Sequence, residues 1–414
     1  MLMSRLEILK FCLFLLISAG IFAPQAGFSQ HGNSTDQTEA ESSDGRYDPT
    51  NTALHHISDQ NVYSLGFAQL PLPVIVSSKS DGWNMFSSGK FGIGHHGNGH
   101  YAYDRYVLVE GLIRRITDPT FPMGKVELTG DHPYELRMET TDRGSEKEFA
   151  DLHHEGETYA LENKSTLDGG VLGGGLTSFY DFSITKNVVT MVIVMVLLLW
   201  IFLKAAKRYR NNPLQAPKGI QSVLEPIFIF IRDEVAKPFL GANYLKYLPF
   251  LMTLFFLILT LNFIGQIPFI GNPNVTGNLT FTLVLALATF FVTNIKGTKT
   301  YWQHTVWMPG VPLFVKPIMT VVEFLGLILK PLVLTLRLAA NITAGHVMIV
   351  IFVSLLFIFN NAGQNVGGSV PGLLLSSILA MFMMALEIIV SLVQAFVFTI
   401  LSASYIGSAI EESH

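Results

Sequence analysis

The sequence predicts an all-α polytopic membrane protein with about five membrane-crossing helices, the last two long and tilted, and one interfacial amphipathic helix, preceded by a small β-rich soluble N-terminal region. Three observations lead there. From 187 to 410 the chain is mostly apolar runs of about 20 residues, the length a helix needs to cross the hydrocarbon of a bilayer. Residues 30–185 are instead polar and rich in Gly, His, Asp and Glu, so the averages of 50% hydrophobic and 14% charged hide two unlike halves. Directly after the first apolar run come Lys204, Lys207, Arg208, Arg210 and Lys218, the cation excess that marks a cytoplasmic membrane face. The division expected is 1–29, 30–185 and 186–414.

Residues 1–29 read as a secretory signal peptide. Arg5 and Lys10 form the basic start, 11–23 is an apolar stretch short for a span, and Ala26-Gly-Phe-Ser29 supplies small residues for cleavage. An uncleaved anchor helix is the alternative. Residue 30 onward then begins outside the cytoplasm. The only cysteine is Cys12, which excludes an intrachain disulfide, and the net charge of −4 points to no particular partner.

Residues 30–60 are polar and read as disordered. β-rich pieces come next at 63–77, 101–116, 126–129 and 134–141, with turn signals at Ser80-Asp-Gly and Asp142-Arg-Gly144. The stretch 169–175, GGVLGGG, reads as a flexible joint before the membrane. Nine of the twelve histidines lie in this half, most tightly at His95, His96 and His100. His-rich tracts can bind metal. Without cysteine or an HExxH pattern these have no spacing that defines a coordination geometry. A solvated Gly-rich loop is the preferred reading, and no metal, cofactor or nucleic-acid partner is expected.

The first span is expected at 187–204. Residues 220–240 mix apolar residues with Glu225, Arg232, Asp233 and Glu234, as an amphipathic helix at the cytoplasmic interface would. Further spans are expected at 248–267 and 279–295, joined by an outside turn over 268–277. Lys296, Lys299 and His304 mark the inside again. A long element over 323–360 returns outward, 361–372 forms a Gly-rich outer loop, and 373–410 crosses back to a cytoplasmic C-terminus.

The chemistry concentrates in 323–350, apolar enough for a membrane yet carrying Lys330, Arg337, Asn341 and His346. A charge at bilayer depth costs at least about 2.5–3.5 kcal/mol and marks a functional site. Arg337 is the sharpest case, because a guanidinium does not neutralise itself by losing a proton. A snorkelling arginine is the bland account, but Arg337 stands in the middle of its apolar run. At about 100° per residue, Lys330, Asn341 and Glu323 fall within about 40° of Arg337, and His346 lands opposite. Pro331 is expected to kink this helix. In the last helix Glu387 and Gln394, seven apart, share nearly one face. A buried carboxyl suits a proton carrier; a structural ion pair with Lys330 or Arg337 is the competing reading. The methionines at 381, 383 and 384 read as packing.

The segment Leu336-Arg337-Leu-Ala-Ala-Asn341-Ile-Thr-Ala-Gly345-His346 resembles the signature of subunit a of the F-type ATP synthase membrane sector. The likeness extends through Pro217-Lys-Gly-Ile-Gln221 with Glu225, Asn262-Phe-Ile-Gly265-Gln-Ile-Pro268, Asn278, Glu323 and Gln394-Ala-Phe-Val-Phe, in order, over about 180–410. The longer region 30–180 lies outside the resemblance. The resemblance implies that Arg337 is the essential charge facing a carboxylate of the c-ring, the oligomer of subunit c, with Asn341 and Gln394 beside it. It implies that His346 and Glu387 line a half-channel from the outside, in the order of the mitochondrial proteins, and that Glu323 belongs to a half-channel from the cytoplasm. Asn278 enters the proton path on the same ground. Thr276 stands where an acid is often found, which leaves that part of the entry open.

By the same resemblance the expected partners are the c-ring, the subunit b stalk, the rest of the complex and the lipid bilayer. The expected place is the cell inner membrane, with the N-terminal region periplasmic. No GxxxxGK[ST] occurs, so ATP chemistry is expected on other subunits. A secondary transporter would be expected to show repeated halves with broken helices, and five unequal spans show none. A membrane-anchored binding protein would need no charges at membrane depth.

Overall fold

The structure is a computed structural model that describes residues 58–411, apart from 66–67, 95–96, 129–132, 141–145, 166–176, 212–215, 268–269, 309, 311 and 360–365. The expected signal peptide, the polar stretch before 58 and His55, His56, His95 and His96 lie outside the described residues.

The N-terminal domain is β-rich, as expected. Its strands are β1 (Val62–Leu65), β2 (Ala68–Pro71), β3 (Pro73–Ser78), β4 (Gly82–Ser87), β5 (Tyr101–Tyr103) and β6 (Tyr106–Val109). They continue with β7 (Leu112–Ile116), β8 (Lys125–Glu127), β9 (Tyr134–Thr140), β10 (Glu146–His154), β11 (Glu157–Glu162) and β12 (Phe179–Asp181). They form a β1-β2 hairpin, a sheet in the order β12-β3-β4, and a larger sheet in the order β8-β5-β6-β7-β11-β10-β9. β3 alternates as a half-buried strand must: Val74 and Val76 turn inward, and Pro73 and Ile75 turn outward. One apolar core joins Val74, Val76, Phe86 and Phe179 of the small sheet to Tyr106, Leu108 and Ile113 of the large one. The other face of the large sheet buries Val107, Val109, Ile116 and Leu152 around Phe121.

The glycine stretch 169–175, expected as the joint before the membrane, lies outside the described residues. The chain returns to the sheet after it, where β12 pairs with β3. Main-chain bonds from Phe182 to Ile75, Ile184 to Pro73 and Lys186 to Gln60 then bind it to the domain up to the first helix.

That helix, α1 (Lys186–Asn211), ends with Arg208 and Arg210 in its last turn, where cations suit the helix dipole. The amphipathic segment is α2 (Ile220–Phe230), which runs on through a π turn at Ile231–Ala236 to Leu240. α3 (Tyr244–Gly265) is apolar all round and central, burying Leu251, Leu254, Phe255 and Ile258. α4 (Leu279–Lys296) comes next, then α5 (Lys299–Val306), a short helix that the sequence pattern did not single out. α6 (Lys316–Phe359) and α7 (Val366–Ile410) contain 44 and 45 residues. Each exceeds the roughly 20 residues of a perpendicular span, so each must run obliquely or protrude. α6 continues unbroken through Pro331, and the Thr335 hydroxyl bonds the Pro331 carbonyl at 2.8 Å. α7 begins at Val366, so the expected outer loop is partly helix.

Among the described residues, five stretches are long and apolar enough to cross a membrane: α1, the α2–α3 segment from Ile220 to Gly265, α4, α6 and α7. α6 packs on α7 and α4, and α7 also packs on α3.

Candidate functional site

The polar residues of the bundle gather in two clusters on α6 and its neighbours, with Arg337 between them. In the first, His346 Nδ1 of α6 lies 3.5 Å from Glu387 Oε1 of α7. Both are buried, at 8% and 3% exposure, and the Glu387 carboxyl oxygens accept no hydrogen bond from any described residue. The structural pair of Glu387 is therefore His346, not Lys330 or Arg337. Two glycines make room for it. A Cβ on Gly265 would stand 2.8 Å from the Pro273 carbonyl oxygen and 3.5 Å from His346 Nε2, and one on Gly345 would stand 3.0 Å from Glu387 Oε1.

The pair sits in an amide-lined seam. Gln266 Nε2 donates to the Glu387 carbonyl at 3.2 Å and to the Ser391 hydroxyl, and Asn262 Nδ2 donates to the Ser391 carbonyl at 3.4 Å. Gln394, one turn from Ser391, is also buried. Sequence reasoning singled out Asn262 and Gln266 only as part of a motif; Ser391 it missed, since one serine in an apolar helix carries no signal.

The second cluster lies about 24 Å further along α6, at about 1.5 Å per residue from His346 to Lys330. Lys330 stands over the Tyr405 ring, 5.5 Å from its centroid. Tyr301 donates to Asn294 Oδ1 at 3.2 Å. Thr289, Thr293, Asn294, Tyr301, Lys330 and Tyr405 line a small cavity between α4, α5, α6 and α7. Tyr301 on α5 has its hydroxyl pushed above the ordinary value, first by burial and then by the charge of Glu323. Glu323 and Lys330 thus share one end of the bundle, as their helical phase indicates. Asn294, Tyr301 and Tyr405 were not anticipated.

Between the clusters Arg337 and Asn341, one turn apart, are exposed on α6, while His346 points into the bundle. Arg337 makes no hydrogen bond or ion pair among the described residues, though its charge reaches Tyr405. Leu332, Val333 and Leu336 are likewise exposed apolar residues of α6, and α7 exposes Ile388, Ile389, Leu392 and Val393. Asn278 caps α4, its Oδ1 accepting from Thr280 N at 2.9 Å and Phe281 N at 3.4 Å.

In the N-terminal domain His153 bonds Thr158 and Glu135, each at 2.9 Å. No group of three or more metal-ligating side chains occurs among the described residues.

Fold and site define a polytopic membrane protein with a buried titratable pair and a fixed cation that has no partner among the described residues. Residues 188–407 match the family model of the ATP synthase A chain, and the chain belongs to that family. Residues 52–136 match a second model, described as a domain of unknown function. The chain is 38% identical over 268 residues to ATP synthase subunit a of Chlorobium phaeobacteroides, covering 62% of this chain and 74% of that one. It is 40% identical over 245 residues to ATP synthase subunit a 2 of Prosthecochloris aestuarii, covering 58% and 71%. With ATP synthase subunit a of Myxococcus xanthus it shares 33% over 292 residues, covering 69% and 92%.

Proposed function

We propose that this chain is the stationary proton-translocating subunit of an ATP synthase membrane sector. It forms two offset half-channels that load and unload the carboxylates of a rotating c-ring. The observation that carries this reading is Arg337, exposed and unpaired on an apolar helix face between two separate polar clusters. A charge there needs an anion from outside the chain. A ring carboxylate passing it would meet that need and be held ionised by the opposite charge. Having taken up a proton, the same carboxyl would be neutral and could turn through lipid.

His346 and Glu387 then relay protons from the outside, Glu323 serves the cytoplasmic half-channel with Lys330 near it, and Asn341 and Gln394 assist beside Arg337. Asn278 holds the α4 end of the path. The exposed face of α6 and α7 receives the ring, and subunit b and the rest of the complex hold the chain stationary. The N-terminal domain lies outside the cytoplasm, in the periplasm, and the C-terminus inside, across the cell inner membrane. As a cation that does not titrate, Arg337 blocks direct passage between the half-channels. Each proton leaked would dissipate about 2.3 kcal/mol per 100 mV.

The test is Arg337→Ala in the reconstituted complex. The expected result is ATP synthesis lost, with assembly intact and passive proton flux retained once the catalytic head is stripped. Synthesis at the wild-type rate would overturn the assignment.

A further inference from the structure

The N-terminal domain is seated against the membrane helices at the His346 end of the bundle. Lys186 N at the start of α1 donates to the Gln60 carbonyl at 2.9 Å, and Tyr63 OH and Thr190 Oγ1 are 3.2 Å apart. Gly271, in the turn between α3 and α4, lies so close to β1 that a Cβ there would overlap the Ser64 carbonyl oxygen. The same turn carries Pro273, whose carbonyl lies against Gly265 beside His346, and Gly277, whose carbonyl accepts from Thr343 Oγ1 at 3.4 Å. One short turn therefore has the N-terminal domain on one side and the His346 pocket on the other.

At this junction Asp59 is partly buried, with Oδ2 accepting from Thr185 Oγ1 at 2.9 Å and Oδ1 from Asn187 N at 3.2 Å. Lys186, only 4% exposed, lies within electrostatic reach of both Asp59 and His346. A second observation concerns the amides. Asn61 and Asn187 are 1% and 6% exposed, yet both side-chain polar atoms of Asn61 and the Oδ1 of Asn187 have no hydrogen-bond partner among the described residues. Leaving such a group unsatisfied destabilises the fold by its lost hydration. Buried amides in this condition are ordinarily satisfied by internal water. A partly buried aspartate, a buried ammonium and two unsatisfied amides thus mark a hydrated polar route at the mouth of the His346 pocket.

We propose that Asp59, contributed by the N-terminal domain, is a proton-carrying group that takes protons from the outside and delivers them toward His346. The proposal rests on the half-channel reading above. It gives this domain a part in the outer entrance, on the side where Thr276 offers no carboxyl. Its proton balance is simple: the Asp59 carboxylate accepts one proton from outer water and returns one to the hydrated route toward His346. Burial pushes the Asp59 carboxyl upward, against the hydrogen bonds from Thr185 and Asn187 and the charges of Lys164 and Lys186. The charged and titratable groups along the route are therefore Lys164, Lys186, His346 and Glu387.

The test uses the whole reconstituted complex, stripped of its catalytic head, with passive proton flux followed from about pH 5 to 8. Asp59→Asn keeps one oxygen to accept the Asn187 bond and an amide that can donate to the Thr185 hydroxyl, but it has no acidic proton. It is expected to lower flux about a hundredfold, the lower range for losing one positioned proton-transfer group, with normal assembly. Asp59→Glu is expected to recover most of the flux with a displaced pH profile. Wild-type flux and profile in Asp59→Asn would overturn the proposal. So would an equal loss in Asn and Glu variants with an unshifted profile, which is the signature of a helix cap alone. If Asp59→Asn fails to assemble, the pH profile of Asp59→Glu decides: a shift supports the proposal and an unchanged profile overturns it. Glu387→Gln in parallel separates the two readings. Full flux in that variant would sink the half-channel assignment itself. Lost flux there beside normal flux in Asp59→Asn sinks only the role of Asp59.

Discussion

His346 Nδ1 stands 3.5 Å from Glu387 Oε1, and this contact ties α6 to α7 inside the bundle. Each partner is backed by a glycine, Gly265 behind the imidazole ring and Gly345 against the carboxyl. The pair is therefore held between helices at a spacing that a single added methyl group would disturb.

Replacing Glu387 with Gln should keep the shape and abolish the exchangeable proton. Passive proton flux through the reconstituted membrane sector is expected to fall about a hundredfold, the lower range for removal of a positioned acid–base group. His346→Gln should reduce flux in the same assay. Flux near wild type in both variants would remove the pair from the path.

Gly265→Ala should act on the same pair indirectly. Its Cβ would stand 2.8 Å from the Pro273 carbonyl oxygen, so the turn or the His346 ring must shift. Overpacking of this kind costs about 1–3 kcal/mol. The expected outcome is an assembled complex with slowed proton flux and a lowered thermal midpoint. An unchanged midpoint together with unchanged flux would show that the turn absorbs the methyl group.

In the N-terminal domain Asp81 draws Arg105, at 3.3 Å, and Arg115 together, while Arg115 also donates to Ser178 at 2.7 Å. Burial alone would push the Asp81 carboxyl up; hydrogen bonds from Ser80 and Ser78 and the Arg115 guanidinium outweigh it and hold the group below its ordinary value. A lowered carboxyl binds its proton less readily in the folded state. Its contribution is thus present above the unfolded value of about 3.9 and is lost as pH falls through and below it. Asp81→Asn should cost about 2 kcal/mol at neutral pH, the scale of a hydrogen bond to a charged group. It should also flatten the acid limb of domain stability, read by limited proteolysis of the intact protein. An acid limb identical to wild type would refute this.

Gly271→Ala should loosen the seat of the N-terminal domain. Gly271 has φ +74° and no room for a Cβ beside Ser64, so both the backbone and the contact resist the change. Faster protease cleavage between the domain and α1, with the helices still assembled, is the expected result. Cleavage at the wild-type rate would mean that Tyr63 and the main-chain bonds of Lys186 hold the seat without this contact.

The order of polar residues around α6 is legible in the sequence. A period of about 3.6 residues puts Arg337 and Asn341 on one face and His346 on the other, and the helix realises that arrangement. Local periodicity is enough for this because a helix orients its side chains by itself. Charged β10, Glu146–His154, carries no such signal, because its strand form depends on pairing with β9 and β11 on either side. The short strand β12 is illegible for the same reason: it is held by β3, which lies far earlier in the chain.

Taken alone, then, the sequence determined the class of protein, the helices at membrane depth and the charges they carry there. Apolar run length and helical phase are properties of neighbouring residues. Tertiary structure decided that Glu387 meets His346, that Tyr405 lies under Lys330, and that Asp59 reaches the start of α1. Those meetings join segments far apart in the chain. They depend on how whole helices and sheets pack, through glycine-sized gaps and main-chain bonds that no local pattern encodes.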